Sequence, residues 1–244
     1  MRIIYENKNL VVIDKPAGLL VHPTDKNEKD TLMHQISEKW PEIKKHNWQN
    51  PSRAGIVHRL DKDTSGLIII AKNPKKLEQL QEKFKNHKIK KVYYALVAGK
   101  VEPKCGKIIT QILRDKKGKS VKQKISNFNL SWEKGKEAQT NYKVLNYYKY
   151  KNYIISLLEL EIKTGRTHQI RAHLKHKNWP IIGDQIYTNK LSKKISKDLK
   201  LSRQFLHSKK LEFEIEKDIN KVFSSPLTQD LINILDNFIP YTEI

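Results

Sequence analysis

Short apolar runs separated by turn residues dominate the chain, and most have the length and composition of β-strands. The first run, residues 10–14, ends at the turn Lys15-Pro16-Ala17-Gly18, and extended structure resumes at residues 19–21. Further strands are predicted at residues 67–71, 92–98, 108–113, 120–125, 138–145, 153–162 and 211–215. The basic residues 116–119 lie between two of these runs and predict a hairpin turn.

Four segments instead have the spacing of amphipathic helices. They are residues 31–40, a helix that begins at Asn73-Pro74, residues 167–174, and a last helix capped by Ser225-Pro226. Strands outnumber helices, and hairpins outnumber helical crossovers. The predicted fold class is therefore α+β, with a large, mostly antiparallel mixed β-sheet flanked by helices and loops.

The charge is the strongest bulk property of the sequence. With 48 Lys and Arg against 26 Asp and Glu, the net charge is +22. This excess indicates a polyanionic partner, with nucleic acid first and an anionic membrane surface second. A lysine-rich composition inflates the total, but residues 72–91, 114–124 and 190–203 are locally far more basic than the average. We predict that at least one of these runs binds phosphate groups.

The remaining totals indicate a cytoplasmic protein. No apolar stretch approaches the roughly 20 residues that span a bilayer, and residues 1–6 are too short and too charged for the core of a targeting signal. The single cysteine, Cys105, rules out an internal disulfide and fits a reducing compartment. We expect no membrane partner, and a monomer.

The first cluster of candidate chemistry lies in residues 55–66, G-I-V-H-R-L-D-K-D-T-S-G, directly before an apolar strand. Thr64-Ser65-Gly66 can hold a loop in a fixed shape through local side-chain hydrogen bonds. A carboxylate held next to Arg59 and Lys62 should stay ionised, which suits a nucleophile or an electrostatic stabiliser. A structural ion pair on a loop is the alternative interpretation.

A second cluster, residues 163–173, places a glycine, threonines and two arginines at a strand-to-helix junction, which suits anion binding. Metal binding by His168, His173 and His176 is disfavoured, because no cysteine or carboxylate stands at ligand spacing and the surroundings are basic. In the third cluster, the adjacent Tyr93 and Tyr94 face opposite sides of a strand. One of them should belong to the core, and the other could stack on a base.

These motifs, taken together, resemble the RNA pseudouridine synthases of the RluA type, which include ribosomal large subunit enzymes. The resemblance runs nearly from end to end of the chain, and its most specific element is H-R-L-D followed by T-S-G within residues 58–66. The other matching segments are residues 12–23, 53–57, 91–97, 164–171, 181–184 and 206–207.

The resemblance implies the pseudouridine synthase fold and the isomerisation of uridine within RNA. It implies that Asp61 is the catalytic aspartate, that Tyr93 packs on the target uracil, and that Arg166 pairs with the aspartate. Arg59 would fill the gap left by the flipped nucleotide, and His58 and Arg171 are candidate substrate-binding residues. The chemistry needs no metal and no organic cofactor. Breaking the glycosidic bond builds positive charge on the sugar, which an ionised carboxylate can stabilise or capture.

The resemblance also bears on domains and substrate. Residues 1–244 would form a single catalytic domain, without the small RNA-binding domain that often precedes it in relatives that modify ribosomal RNA. Large-subunit (23S) ribosomal RNA is the preferred substrate, and transfer RNA is the alternative. A non-catalytic RNA-binding protein would have lost Asp61, Tyr93 or Arg166, but all three are present. A nucleoside or glycan hydrolase would need a second acid and would have little need for the positive charge.

Overall fold

The computed structural model describes residues 1–23, 30–114, 123–126 and 135–241. These ranges contain eleven strands and five α-helices, and each strand pairing with a described register is antiparallel. The predicted α+β class is thus confirmed. Within the same ranges, no helix is long and apolar enough to span a membrane.

The chain divides into two compact units, and each is made of two segments that are separate in sequence. Unit 1 comprises Met1–Lys90 and Ser208–Pro226, and unit 2 comprises Lys91–His207 and Leu227–Ile244. The single catalytic domain expected over residues 1–244 stays a prediction.

The strands of unit 1 follow the order β1-β2-β3-β9, with β10 on the far side of β9. Their bounds are β1 Arg2–Glu6, β2 Leu10–Lys15, β3 Ser65–Ala71, β9 Leu206–Glu216 and β10 Ile219–Ser224. Two helices complete the unit, α1 Leu32–Lys39 and α2 Pro74–Lys85. The Asn73 side chain accepts a hydrogen bond from the Lys76 amide, which confirms the predicted helix start.

The core of unit 1 forms where α2 packs against the sheet. Every residue of β3 is buried, which explains its continuous apolar run. Leu80 of α2 is fully buried, and Leu77 and Phe84 pack against the same cluster, so the amphipathic spacing predicted for the helix that begins at Asn73-Pro74 is confirmed. Leu211, Phe213 and Phe223 reach this cluster from β9 and β10.

The strands of unit 2 follow the order β4-β8-β7-β5-β6, with the two-residue β11 paired to β7. Their bounds are β4 Lys90–Ala98, β5 Cys105–Arg114, β6 Gln123–Ser126, β7 Lys136–Tyr150, β8 Tyr153–Ile162 and β11 Ile239–Pro240. The helices are α3 Gln169–His176, α4 Lys190–Asp198 and α5 Gln229–Leu235. β5 and β6 pair as predicted, whereas the basic turn at 116–119 lies outside the described residues.

One local prediction differs from the structure, and two elements of the structure were not predicted. The last helix has Thr228 at its N-cap, not Ser225, because Ser225 is buried beside β9 and donates to the Pro226 carbonyl. Residues 219–224 form a strand that the pattern did not indicate, since four of its first five side chains point to solvent without alternation. Residues 190–198, for which the sequence indicated only a basic run, form a helix that starts at a reciprocal capping box of Asn189 and Ser192.

Gly66, at the start of β3, fills a position that a side chain could not occupy. Its φ is +109°, and a Cβ atom there would lie 2.3 Å from the carbonyl oxygen of Ser208. Ser208 in turn donates its hydroxyl to the Leu67 carbonyl oxygen at 3.1 Å. The T-S-G sequence therefore ends in glycine because β9 passes directly over the backbone at this point.

Gly66→Ala should lower the free energy of unfolding by more than Gly99→Ala does. Gly99 has nearly the same φ, +107°, but nothing lies within 4 Å of a Cβ built there. Gly99→Ala should therefore cost only the backbone strain, about 1–3 kcal/mol, whereas Gly66→Ala adds a clash with backbone. Urea denaturation of both variants measures the difference. Equal losses would show that β9 can move away from Gly66 without cost.

Candidate active site

The Asp61 loop, residues 57–64 of unit 1, connects a short β-bridge at Ile56 to strand β3. Gly55, with φ +72°, accepts a hydrogen bond from the Ala71 amide, and Ile56 bridges Ile70. Leu60 is buried, whereas Asp61 is half-buried and Lys62 is exposed. The Asp61 carbonyl accepts the Thr64 amide at 3.1 Å, which closes the turn. The loop thus holds the Asp61 side chain at the surface on a backbone anchored at both ends.

The buried side chain of Lys15 anchors this loop through a hydrogen bond to its backbone. The Lys15 side chain is 0% exposed, and its ammonium group donates to the carbonyl oxygens of Pro16, Leu19 and Lys62 at 2.8, 2.8 and 2.9 Å. The Gly18 amide donates to the same Lys62 carbonyl at 3.0 Å. Three carbonyl dipoles satisfy the three N–H donors of the buried cation. The Lys15 ammonium therefore links the turn after β2 to the Asp61 loop.

Two neighbours of Asp61 have defined contacts within unit 1. A guanidinium nitrogen of Arg59, an exposed residue, lies 3.5 Å from Nε2 of the buried His22. Nε2 of His58 accepts the backbone N–H of Ile69 at 3.0 Å, and its ring packs on Phe84 with centroids 4.7 Å apart. His58 thus connects the loop to β3 and to α2.

The two tyrosines of unit 2 lie on opposite faces of β4, as the alternation predicted. Tyr93 is 5% exposed and pairs with Leu160, and Tyr94 is half-buried and pairs with Glu159. Burial, followed by the charge of Glu159, raises the pKa of Tyr94. Leu160 comes two residues before the end of β8, so Tyr93 lies at the end of the sheet from which the loop with Arg166 departs.

Gln169 shapes the loop that carries Arg166. Its amide oxygen accepts the Thr164 hydroxyl at 2.7 Å and the Arg166 backbone N–H at 3.1 Å, and its amide nitrogen donates to the Gln139 carbonyl at 3.0 Å. Arg166 is exposed, and its Nε donates to the Glu137 carbonyl at 3.0 Å. The arginine is therefore presented at the surface from a fixed backbone beside β7.

Arg171 is held by a buried ion pair. Its side chain is 5% exposed, and Nε and a terminal nitrogen donate to the two carboxylate oxygens of Asp184 at 2.7 and 2.9 Å. Burial alone would raise the pKa of Asp184, but the hydrogen bonds and charge of Arg171, with the amides of Tyr187 and Ile186, outweigh burial and lower it. The pair fastens α3 to the segment that precedes α4.

Two of the three histidines considered for metal binding, His168 and His173, make structural contacts. His173 is fully buried, with Nε2 3.0 Å from the Thr110 hydroxyl and Nδ1 2.9 Å from that of Thr140. Burial, with a smaller contribution from His176, lowers the pKa of His173 to about 4, so the ring is neutral. His168 Nδ1 lies 3.2 Å from the Tyr187 hydroxyl. Among the described residues, no three His, Cys, Asp or Glu side chains are grouped to hold a metal ion.

The structure brings the predicted residues together within each unit. His58, Arg59 and Asp61 share one loop of unit 1, and Tyr93, Arg166 and Arg171 belong to the β4, β8 and α3 region of unit 2. The pairing of Asp61 with Arg166 joins residues of different units and stays a prediction. Lys15 and Gln169 were not singled out by the sequence. Both could have been noticed as polar residues at positions where the pattern predicts burial. Lys15 ends an apolar strand, and Gln169 begins the buried side of a helix.

Comparisons with known proteins agree on one family. The family model for RNA pseudouridylate synthase matches residues 9–176. A ribosomal large subunit pseudouridine synthase D of Borreliella burgdorferi is 39% identical over 99% of this chain, which spans 70% of that relative. The protein of the same name in Neisseria meningitidis serogroup A is 38% identical over 96% of the chain, which spans 60% of the relative.

Solved structures show the same fold. Human RNA pseudouridylate synthase domain containing 4 is 26% identical, with a TM-score of 0.74 over 97% of this chain and 92% of its own. Human RNA pseudouridylate synthase domain containing 1 is 23% identical, with a TM-score of 0.75 over 100% of this chain and 89% of its own. The chain therefore has the fold that the motifs in residues 58–66 predicted.

Lys15→Met should lower the free energy of unfolding by about 2–4 kcal/mol, because the apolar stem is kept while three buried carbonyls lose a charged donor. Lys62→Met is the matched control, since the Lys62 side chain is exposed and only its carbonyl takes part in the contact. Urea denaturation and hydrogen exchange at the Gly18 and Thr64 amides measure the two effects. Unchanged stability and protection in Lys15→Met would contradict the anchoring role.

Asp184→Asn should lower the free energy of unfolding by about 3–5 kcal/mol at neutral pH, because it leaves the Arg171 charge buried without its partner. The folded-state pKa of Asp184 is lowered, so the stability it contributes is fully present above the ordinary carboxyl pKa. That contribution disappears as the pH falls through the lowered value. The gap between wild type and variant should therefore close only in strong acid. A gap that closed above pH 5 would contradict the direction of the shift.

Proposed function

Because this chain belongs to the RNA pseudouridine synthase family, we propose that it converts specific uridines of large-subunit ribosomal RNA to pseudouridine. The observation that carries the proposal is Asp61, a half-buried carboxylate on a loop that Lys15 and Gly55 hold in place. In this isomerisation the bond from ribose C1′ to uracil N1 breaks, and a bond from C1′ to uracil C5 forms. N1 then receives a proton, and C5 loses one.

Asp61 is proposed as the group that responds to the positive charge on the sugar. An ionised carboxylate next to C1′ either captures that charge covalently or stabilises it while the base turns. A fixed backbone matters here, because a carboxylate that had to reorient would lose part of its advantage in the transition state. The anchored turn at Thr64 and the Lys15 contact support this role.

Three further residues have proposed roles around the flipped nucleotide. Arg166 would pair with Asp61 and keep it ionised, and its Gln169-supported backbone suits a fixed position. Tyr93 would pack on the target uracil and is the candidate that accepts the C5 proton. Arg59, exposed beside His22, would fill the gap that the extruded base leaves in the RNA stack.

His58 and Arg171 are proposed to support the substrate site by positioning its elements. The Nε2 atom of His58 is occupied by the Ile69 amide, and the Arg171 guanidinium is occupied by Asp184. These contacts orient the Asp61 loop and α3, respectively. Both side chains were predicted as direct substrate contacts, and the contacts described above favour an indirect role.

Ribosomal RNA is the preferred substrate because the relatives from Borreliella burgdorferi and Neisseria meningitidis carry names that specify the ribosomal large subunit. We further propose a cytoplasmic monomer. Transfer RNA is the alternative substrate, and mapping of modified sites distinguishes the two.

Asp61→Asn should abolish pseudouridine formation while RNA affinity changes less than about threefold, because phosphate contacts come from lysines elsewhere. Asp63→Asn is the matched control, an amide substitution two residues away on the same loop, and it should retain activity. The measurement is carbodiimide labelling with reverse-transcription stops on total RNA from cells that lack the gene, complemented with wild type or either variant.

Stops in large-subunit ribosomal RNA that return with wild type and Asp63→Asn, but not with Asp61→Asn, would support the whole proposal. Stops that return only in transfer RNA would keep the chemistry and replace the substrate. Activity in Asp61→Asn would show that another group performs the step at the sugar.

A further inference from the structure

The structure treats two of the basic runs differently, whereas most of the third, residues 114–124, lies outside the described residues. Of the eight lysines in residues 72–91, four are used inside the protein. Lys72 pairs with Glu6, the ammonium of Lys76 donates to the Ile215 carbonyl at 2.6 Å, Lys83 pairs with Glu214, and Lys91 is buried. Half of that run therefore contributes to the fold and not to a surface.

The run at residues 190–200 has the opposite arrangement. Helix α4 buries Ser192 and Ile195 on one side, and its capping box fixes its start. Its exposed lysines have spacings of three and four residues, which places them along one side of the helix: Lys190, Lys193, Lys194 and Lys197. From first to last this stripe is about 10 Å long, given a rise of 1.5 Å per residue.

The tip of the β7–β8 hairpin extends the stripe. The Lys151 ammonium contacts an Asp198 carboxylate oxygen at 2.6 Å, and the Lys194 ammonium lies 3.2 Å from the Tyr153 hydroxyl and 5.3 Å from the centre of its ring. We define the α4 basic surface as Lys151, Lys190, Lys193, Lys194, Lys197 and Lys200. All six are exposed, and Asp198 is the single acidic residue within residues 190–203.

The α4 basic surface is also connected to the loop of Arg166 by defined contacts within unit 2. The Ser196 hydroxyl of α4 accepts the Gly183 amide at 2.7 Å. The next residue, Asp184, forms an ion pair with Arg171 of α3. Gln169, the first residue of α3, accepts the backbone N–H of Arg166. A cation stripe with this rigid support has a fixed position relative to Arg166, as a docking surface requires.

We propose that the α4 basic surface binds the phosphate backbone of the RNA that flanks the target uridine. The proposal rests on the proposed function and adds the place where affinity for RNA comes from. The six exposed cations of this surface attract a polyanion through release of its counterions, without reading its sequence. Specificity for the uridine would then come from the fold of the RNA and from the Asp61 loop.

The test removes three charges from this surface without disturbing its internal contacts. The variant Lys190→Gln/Lys193→Gln/Lys197→Gln spares Lys151 and Lys194, which contact Asp198 and Tyr153. Glutamine has nearly the helix propensity of lysine, so α4 should remain folded. The matched control, Lys75→Gln/Lys85→Gln/Lys88→Gln, removes three exposed lysines from the run at residues 72–91. Circular dichroism and thermal unfolding confirm that both variants are folded.

The readout is the dissociation constant for a transcript of large-subunit ribosomal RNA, measured over a range of salt concentrations. Each lysine that contacts a phosphate contributes about 0.7–0.9 to the slope of log affinity against log salt. The α4 variant should therefore lose about 2–3 from the slope and bind about tenfold or more weakly at low salt, with the loss of activity appearing in KM. The control should keep the wild-type slope within one unit.

An α4 variant with the wild-type slope, or an equal loss in both variants, would overturn the proposal. The first result would remove RNA as the partner of this surface, and the second would leave only a general charge effect. Pseudouridine formation by wild type is measured in parallel on the same transcript. A wild type that binds the transcript without modifying it would contradict the proposed function, while the difference in slopes would still decide the role of the α4 basic surface.

Discussion

Burial of the Lys15 ammonium is the constraint on which the candidate catalytic loop depends. A buried cation is tolerated only if each of its donors is satisfied, and here three carbonyl oxygens from two separate segments do so. Breaking any of these hydrogen bonds would leave a donor of a buried cation unsatisfied. The turn after β2 and the loop with Asp61 therefore cannot move independently. The half-buried Asp61 carboxylate therefore gains its fixed position from a contact that lies entirely beneath the surface.

Much of the fold follows from local sequence patterns. The β8 bounds, the Asn73 cap of α2 and the apolar stripe of Leu77, Leu80 and Phe84 were predictable, because periodicity and capping chemistry act over a few residues. Helix α4 was not predicted because only two of its residues are buried, Ser192 and Ile195, and one of them is polar. Its remaining positions are mostly lysine, so no apolar periodicity is visible in the sequence. The N-cap of α5 was misplaced because Ser225 is engaged by tertiary contacts that no local pattern reports.

The candidate site likewise contains residues that the sequence identifies and residues that only the structure reveals. Asp61, Tyr93 and Arg166 stand in motifs that a family resemblance identifies directly, whereas Lys15 and Gln169 act through partners that are distant in sequence. Lys15 reaches a carbonyl 47 residues away, and Gln169 reaches one 30 residues away. Charge runs carry a related lesson, since residues 72–91 leave four of eight cations exposed whereas residues 190–203 leave five of six exposed.

The discontinuity of unit 1 has a consequence for how the chain is made. Its core includes Leu211, Phe213 and Phe223, so the unit cannot be completed until residues 208–226 have left the ribosome. Until then β3, which is buried at every position in the folded protein, lacks the strand that covers its edge and is exposed to wrong pairing. Unit 2, by contrast, has most of its strands in one continuous stretch. Nascent chains should thus need protection of unit 1 until β9 is available, and unit 2 is completed only when residues 227–244 follow.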